Sequence, residues 1–399
     1  MKPASIADSV TLAFASVVLL AAVAIPQTQA QTFKVVYNFT GASDGGNPLD
    51  GLIADTSGNL YSTTSGGGAS GNGAVIEFSK GGVESVLYSF AGGTDGANPQ
   101  AGLLRDKSGN LYGTTYSGGA EGAGTVFKIA AGGSEQVLYS FAGGKDAEYP
   151  EAGLTMDAQG NLYGTASAGG TYNYGAVFKL TPPKSGNTWK ETLLYSFGNS
   201  DTDGTVPVAS ITLGAAGTLY GTTSAGGEYG YGTVFQLVRS GTSWKETILH
   251  SFADGDDGGV PYGGLIADKA GNYYGAATEG GTGGGGTIFE LTPSNGSWTF
   301  TVLYSNPGWG ISGSFRNLLL DSSGNLYGTT HCDGADSAGT VYKLTPASGS
   351  WTYTSLYVFT GGTDGLYVYS NPVLLEGHIY GTTKLGGANG NGVIWQVIP

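Results

Sequence analysis

Three adjacent side chains carry the chemistry of a nucleophilic site: His331, Cys332 and Asp333. A thiol beside an imidazole is an arrangement that activates cysteine for covalent catalysis. Adjacent residues of a β-strand point to opposite faces, so His331 and Cys332 are poorly placed to act as a pair if the strand before them continues. The sequence therefore favours a buried, inert cysteine over a catalytic dyad.

A second chemical pattern is G-x-S-x-G at residues 41–45. Hydrolases with this motif expose the serine on a turn between a strand and a helix, and no helical periodicity follows here. The segment also aligns with Gly92 to Gly96 of a later repeat, so we interpret it as a chance match. The many G-x-G runs lack a following helix and do not predict a nucleotide-binding loop.

Tyrosines beside carboxylates form the pattern most typical of a binding surface. Flat rings with a polar group suit a sugar, whose C–H face stacks while its hydroxyls find acceptors. The alternative is that these tyrosines simply cover exposed glycine backbone. The predicted ligand-binding residues are Tyr149, Tyr172, Tyr174, Glu228, Tyr229, Tyr231 and Tyr262.

These residues belong to a repeat of about fifty residues, a period typical of propellers. In the second copy, strand-forming residues occupy 102–106, 111–115, 125–129 and 136–141, separated by Gly, Asn, Asp and Ser. The sequence predicts an all-β protein, a single seven-bladed β-propeller with four-stranded blades. The copies align on one tyrosine each: Tyr61, Tyr112, Tyr163, Tyr220, Tyr274, Tyr327 and Tyr380.

The two ends of the repeat region complement each other. The last copy stops after its third strand at 393–397, and residues 33–39 match the fourth-strand pattern of the other copies. We therefore expect the N-terminal strand to join the last blade. Such closure removes an exposed sheet edge.

Metal chemistry has little support in this pattern. The first strands are expected to line a central channel, where the preceding residues offer one acid, Asp50, and one arginine, Arg316. The D-x-x-G-N segments, such as 55–59, carry one carboxylate each, whereas calcium needs six or more oxygens. An Asx-type turn is favoured over a calcium site, and we predict no metal and no cofactor.

The N-terminus differs from the repeats. Lys2, an apolar run at 10–25 and a small-x-small site at 28–30 predict a signal peptide over 1–30, with the propeller over 31–399. An uncleaved anchor is the alternative, but the apolar run is short of the roughly 20 residues that span a bilayer. The expected location is secreted, periplasmic or cell-surface, with no membrane span in the mature protein.

Charge and cysteine content restrict the partners. The net charge is −14, and an acidic surface repels phosphate groups, which disfavours nucleic acid and anionic membranes as binding partners. A single cysteine excludes an intramolecular disulfide. We expect a monomer.

The consensus LYGTTxxGGxxGxGTVFxL followed by LYSF resembles the Gloeo/Verruco (GloVer) tandem repeat of exported bacterial proteins, over nearly all of 31–399. The resemblance implies the fold and export. Members of that family often carry a C-terminal surface-anchoring signal, and no such signal is recognised in this sequence. The family is not tied to an activity or to catalytic residues, so the resemblance implies no chemistry.

Two hypotheses about function follow. The first is an exported, non-enzymatic binding or scaffold module whose partner is an extracellular glycan or an envelope protein. The second is a secreted hydrolase or lyase acting on a polysaccharide or lactone, which rests on fold analogy alone. The sequence favours the first.

Overall fold

A computed structural model describes residues 32–307 and 318–399. Within these residues the strands form seven four-stranded antiparallel sheets around a common axis, so the predicted seven-bladed β-propeller is confirmed. The predicted signal peptide lies outside the described residues. No helix in the described part of the chain is long and apolar enough to cross a membrane.

Each blade contains strands a, b, c and d, named in sheet order from the axis outward. Blade 1 contains Ile53–Ala54, Leu60–Thr64, Ala74–Phe78 and Glu84–Ser89; blade 2 contains Leu104–Arg105, Leu111–Thr115, Thr125–Ile129 and Glu135–Ser140. Blade 3 contains Thr155–Met156, Leu162–Ala166, Ala176–Thr181 and Lys190–Ser196; blade 4 contains Thr212–Leu213, Leu219–Thr223, Thr233–Ser240 and Ser243–Ser251. Blade 5 contains Ile266–Ala267, Tyr273–Ala277, Thr287–Ser294 and Ser297–Ser305; blade 6 contains Leu319–Leu320, Leu326–Thr330, Thr340–Ala347 and Ser350–Val358. Blade 7 contains Val373–Leu375, His378–Thr383 and Val393–Val397, with Phe33–Asn38 as strand d.

Short elements lie between the blades. Ala147–Glu148 pairs with Ala168–Gly169, and Gly204–Thr205 pairs with Ala225–Gly226. Gly93–Asp95 and Ala215–Gly217 are 3-10 turns.

The first strand of blade 2 is shorter than the predicted 102–106, covering only Leu104–Arg105. The amide of Gly102 donates to Asp50 of blade 1, and the amide of Asp106 donates to the Asn110 carbonyl within the turn. Strand a is therefore limited on one side by contacts with the neighbouring blade and on the other by the turn.

In blades 1 to 6, strand b is buried along its whole length because neighbouring blades cover both of its faces. In every blade except blade 1, a glycine in this strand allows a close approach by strand c. A Cβ atom added at Gly113 would lie 2.5 Å from Cζ of Phe127, so the aromatic ring occupies the space of a side chain. Blades 3, 4 and 5 repeat this contact at Gly164, Gly221 and Gly275.

The core is divided into seven clusters, and each joins two neighbouring blades. One cluster, for example, packs Phe141 of blade 2 with Phe178 of blade 3. A threonine of strand b adds a polar link to the next blade: the Thr63 hydroxyl donates to the Ala101 carbonyl at 2.8 Å. The same link recurs at Thr114, Thr165, Thr222, Thr329 and Thr382.

The ring closes as predicted. Phe33–Asn38 pairs antiparallel with Val393–Val397, with Phe33 opposite Val397 and Asn38 opposite Val393. Phe39, directly after this strand, is fully buried in the cluster shared by blades 7 and 1. The edge that strand c of blade 7 would otherwise expose is covered.

Candidate functional site

One face of the propeller carries both the loops between strands b and c and the segments that cross from strand d into the next blade. Hydrogen bonds join the two: the amide of Tyr149 donates to the Ala123 carbonyl at 3.0 Å, and the amide of Val206 donates to the Tyr174 carbonyl at 2.9 Å. We call this surface the loop face. The turns between strands a and b lie on the opposite face.

The aspartates of the crossings hold the backbone of the loop face. Asp95, for example, accepts hydrogen bonds from the Tyr88 hydroxyl at 2.7 Å and from the Ala91 amide at 2.5 Å. Burial alone would raise the pKa of such a carboxyl, but at Asp44 the hydrogen bonds from Thr40 and Tyr37 outweigh it and the pKa is lowered. The hydrogen bond from a strand-d tyrosine to the crossing aspartate recurs at Asp146, Asp203 and Asp364.

Blade 4 departs from this arrangement because His250 replaces the tyrosine. Its Nε2 lies 2.9 Å from Asp257, and its ring stacks on Phe300 at 3.7 Å. Burial lowers the pKa of His250, although the hydrogen bond and charge of Asp257 oppose that effect. The imidazole is therefore neutral at pH 7.

The aspartates of the opposite face form the predicted Asx turns. Oδ1 of Asp55 accepts from the amides of Ser57 and Asn59, both at 2.9 Å, and Oδ2 accepts from the Tyr61 hydroxyl at 3.1 Å. These carboxylates are engaged within their own turns. The described residues contain no group of three or more His, Cys, Asp and Glu that is arranged to hold a metal ion.

The loop face has a small cavity of about 190 Å³ where the blades converge on the axis. Blades 1 to 5 each contribute the residue that follows the proline of the preceding crossing, and blade 7 contributes the residue at the matching position. Blade 7 also contributes the residue directly after the end of its strand b. We call this cavity the axial mouth. Its lining residues are Leu49, Gln100, Glu151, Val208, Tyr262, Tyr369 and Lys384. The matching position of blade 6, together with Arg316, falls in 308–317, outside the described residues.

Two opposite charges line the axial mouth and are held by neighbouring side chains. Oε1 of Glu151 accepts from the Ser167 hydroxyl at 2.8 Å. Nζ of Lys384 lies 5.4 Å from the ring centroid of Tyr369, in a cation–π contact. Neither charge forms a salt bridge with a residue in 32–307 or 318–399.

Asp50, predicted as the one acid of the channel, links three blades. Its carboxylate accepts from Nδ2 of Asn371 in blade 7 at 2.7 Å and from the Gly102 amide in blade 2 at 2.6 Å. The backbone carbonyl of Asp50 accepts from the Thr382 hydroxyl at 3.0 Å. The residue therefore contributes to closing the ring.

His331 and Cys332 touch each other, which the alternation of a strand would have prevented. Strand b of blade 6 ends at Thr330, and Sγ of Cys332 lies 2.6 Å from Nδ1 of His331. The strand ends before His331, so the condition on which the pair was expected to be poorly placed is not met. Burial and, to a smaller extent, Asp333 raise the pKa of the Cys332 thiol, so the sulfur is neutral at pH 7. The His331 ring packs on Tyr369, a wall of the axial mouth, with centroids 4.0 Å apart.

The structure distributes the seven predicted binding residues over the loop face rather than in one pocket. Tyr262 lines the axial mouth, and Tyr149 stacks on Tyr116 with centroids 4.9 Å apart. A hydrogen bond and the charge of Glu148 raise the pKa of Tyr149. Glu228 and Tyr229 line an outer groove of about 560 Å³ with His250 and Asp257. Tyr172, Tyr174 and Tyr231 project from their loops, with Tyr174 against Gly198.

Sequence reasoning missed most of the axial mouth. Gln100, Tyr369 and Lys384 were not selected, although one signal was present: in the five crossings that carry the proline, the residue after it is different each time. The sequence analysis also did not select the glutamates on strand d. Burial, together with the aspartate of the preceding crossing, raises the pKa of Glu135, Glu191 and Glu246 to about 7.

Comparison with known families bears on this repeat. The family model of the Gloeobacter/Verrucomicrobia repeat matches residues 23–215 and, again, 184–395. The chain belongs to this family. No curated protein sequence matches it.

Solved structures resemble this Gloeobacter/Verrucomicrobia repeat protein in fold. Virginiamycin B lyase from Staphylococcus aureus is 14% identical, with a TM-score of 0.58 over 92% of this chain and 100% of that chain. A catalytically inactive variant of that lyase with quinupristin gives a TM-score of 0.60 at 14% identity, with the same coverage of 92% and 100%. The extracellular domain of a hybrid two-component system from B. thetaiotaomicron is 11% identical, with a TM-score of 0.59 over 91% of this chain and 39% of that chain. At these identities the likeness shows the fold alone.

Proposed function

We propose that this protein is an exported, non-enzymatic binding module whose ligand is extracellular carbohydrate. The ligand would lie across the loop face of blades 3 to 5, where the projecting tyrosines are concentrated. Export would follow from removal of residues 1–30, which delivers the propeller to the periplasm, the cell surface or the medium.

One observation carries the proposal: several large aromatic side chains are left exposed on this face. The exposed fraction is 47% for Tyr172, 53% for Tyr174 and 54% for Tyr229. Exposed rings lose favourable burial free energy unless a partner covers them. Tyrosine offers an apolar ring for the C–H face of a sugar and a hydroxyl for its polar edge.

The double variant Tyr172→Ala/Tyr229→Ala tests the proposal. Both side chains project from loops, so their truncation leaves the blade cores intact, and we expect the folded variant to lose most of its retention on a polysaccharide. Affinity electrophoresis against a panel of soluble and insoluble polysaccharides measures this loss.

Val83→Ala is the matched control, because Val83 is 62% exposed but lies on the opposite face, in the turn between strands c and d of blade 1. It should bind as the wild type does. Unchanged retention of the double tyrosine variant would remove the proposed surface.

Export has its own measurement. Expression of the whole chain in a bacterial host with a secretion system should yield a protein that begins at Gln31, because the small residues Thr28 and Ala30 lie three residues and one residue before the predicted cleavage position. N-terminal sequencing of the fractionated protein identifies the first residue. A protein that keeps its first 30 residues in the membrane fraction would favour the uncleaved anchor.

A second candidate function is a hydrolase or lyase, and one observation favours it. Titratable side chains from different blades, Glu151 of blade 3 and Lys384 of blade 7, line one cavity. Such a pair supplies an acid and a base in principle. Incubation of purified protein with polysaccharides and lactones, followed by product analysis, separates this function from binding: turnover that Glu151→Gln abolishes would replace our proposal.

A further inference from the structure

We infer that the axial mouth is a binding site for a small zwitterion of the α-amino acid class. This site is separate from the tyrosines of blades 3 and 4 proposed to bind carbohydrate. The inference begins from the charges that line the cavity.

Glu151 and Lys384 bring opposite charges to one cavity without pairing with each other. No salt bridge joins them, and neither has another ion-pair partner among the described residues. A simple anion in the cavity would be repelled by Glu151, and a simple cation would be repelled by Lys384. A ligand with an ammonium group and a carboxylate places each of its charges beside an opposite one.

Both protein charges are already positioned for this role. The Ser167 hydroxyl donates to Glu151, which orients the carboxylate, and the Tyr369 ring lies beneath the Lys384 ammonium. His331 packs on the same tyrosine ring with centroids 4.0 Å apart, which supports its position. Side chains held in place before binding lose less conformational entropy when the ligand arrives.

The size and walls of the cavity fit one small molecule. Its volume of about 190 Å³ is below the roughly 300–1,000 Å³ of pockets that hold drug-sized ligands. Leu49, Val208 and the ring of Tyr262 give the cavity apolar walls, and Gln100 adds an amide that donates and accepts hydrogen bonds. Apolar walls accommodate an aliphatic side chain while the two charged groups of the ligand face Glu151 and Lys384.

The test measures binding of free amino acids to the purified propeller by isothermal titration calorimetry. The probes are glycine, serine, leucine and phenylalanine, each with its N-acetyl derivative and its carboxamide. At least one free amino acid should bind, and either derivative should bind roughly tenfold more weakly or worse, because each has lost one charge. Uncharged monosaccharides serve as size-matched probes.

Glu151→Gln and Lys384→Met should each cause a similar loss, with Glu121→Gln and Lys107→Met as matched controls on exposed positions of blade 2. The derivative series on the wild type remains decisive if a variant does not fold. The inference is overturned if no free amino acid binds, if the derivatives bind equally well, if only monosaccharides bind, or if both charge variants bind as the wild type does. Polysaccharide retention by the Tyr172→Ala/Tyr229→Ala variant is a separate readout, so failure of one site leaves the other testable.

Discussion

Individual carboxylates in this protein mostly serve the backbone. The aspartates of the crossings and of the Asx turns accept two or more hydrogen bonds each, as Asp95 and Asp55 illustrate. The strand-d glutamates behave differently. The Oε1 atoms of Glu135, Glu191 and Glu246 are buried without a hydrogen-bond partner, and each carboxyl lies near the aspartate of the preceding crossing.

These glutamates make thermal stability depend on pH. Because burial raises their pKa from the ordinary value for glutamate to about 7, the folded protein binds more protons than the unfolded chain between these two values. Stability should therefore be highest near pH 5 and should fall as the pH rises through 7. Differential scanning calorimetry at pH 5 and pH 8 should show a melting temperature several degrees lower at pH 8.

The triple variant Glu135→Gln/Glu191→Gln/Glu246→Gln is the control. An amide does not ionise, so this variant should lose most of the pH dependence while the lowered pKa values of Asp44 and Asp55 keep those groups charged at both pH values. His250 changes stability with pH in the opposite direction to the glutamates. Its pKa is lowered in the folded protein, so the unfolded chain binds this proton more readily and stability from this group is greatest above about pH 6.5. A wild type that is more stable at pH 8 than at pH 5 would contradict the assignment.

At the scale of elements, the closing strand is the least replaceable. Phe33–Asn38 is the one described strand d that reaches its blade from the other end of the chain, and Phe39 beyond it is fully buried. Without this strand, blade 7 has an open edge, which is a template for aggregation.

A chain that begins at Thr40 tests this role. Loss of Phe39 alone should cost about 3–5 kcal/mol of the free energy of unfolding, so we expect a lower melting temperature than for a chain that begins at Thr32, together with aggregation in size-exclusion chromatography. A synthetic peptide of residues 32–39 should restore stability, whereas a scrambled peptide should not. Equal melting temperatures for the two chains would show that closure contributes little.

At the scale of the whole molecule, the core has no boundary between blades. Every cluster joins two neighbours, so each blade shares its hydrophobic residues on both sides. A defect at one interface therefore affects the adjacent blades as well. The ring should unfold as one unit.

Phe178→Ala tests this cooperativity, because Phe178 packs between blades 2 and 3. We expect a loss of about 3–5 kcal/mol in stability, seen in urea denaturation as one shifted transition by both circular dichroism and tyrosine fluorescence. Val238→Ala, at a side chain 41% exposed, should change stability by less than about 0.5 kcal/mol. Two separated transitions in the Phe178 variant would mean that blades unfold independently.

The repeat made the architecture predictable, because strands and turns depend on residues close together in sequence. The predicted strands at 111–115 and 125–129 agree with the structure to the residue, and the pattern at 33–39 identified the closing strand. The axial mouth was not predictable in the same way. Glu151 and Lys384 meet in one cavity only because the ring closes, and strand alternation gave no warning that the chain would turn at His331.

The axial mouth also has a consequence for diversification. Its lining positions vary between copies, while the crossing aspartates, Asx turns and strand-b threonines around them repeat, so a change at Leu49 or Val208 leaves the local backbone contacts in place. A combinatorial library at Leu49, Gln100, Val208 and Tyr262 should therefore yield many stable propellers with different small-molecule preferences. The repeat thus separates the residues that encode folding from those available for new specificity, which makes this protein a scaffold for evolving receptors.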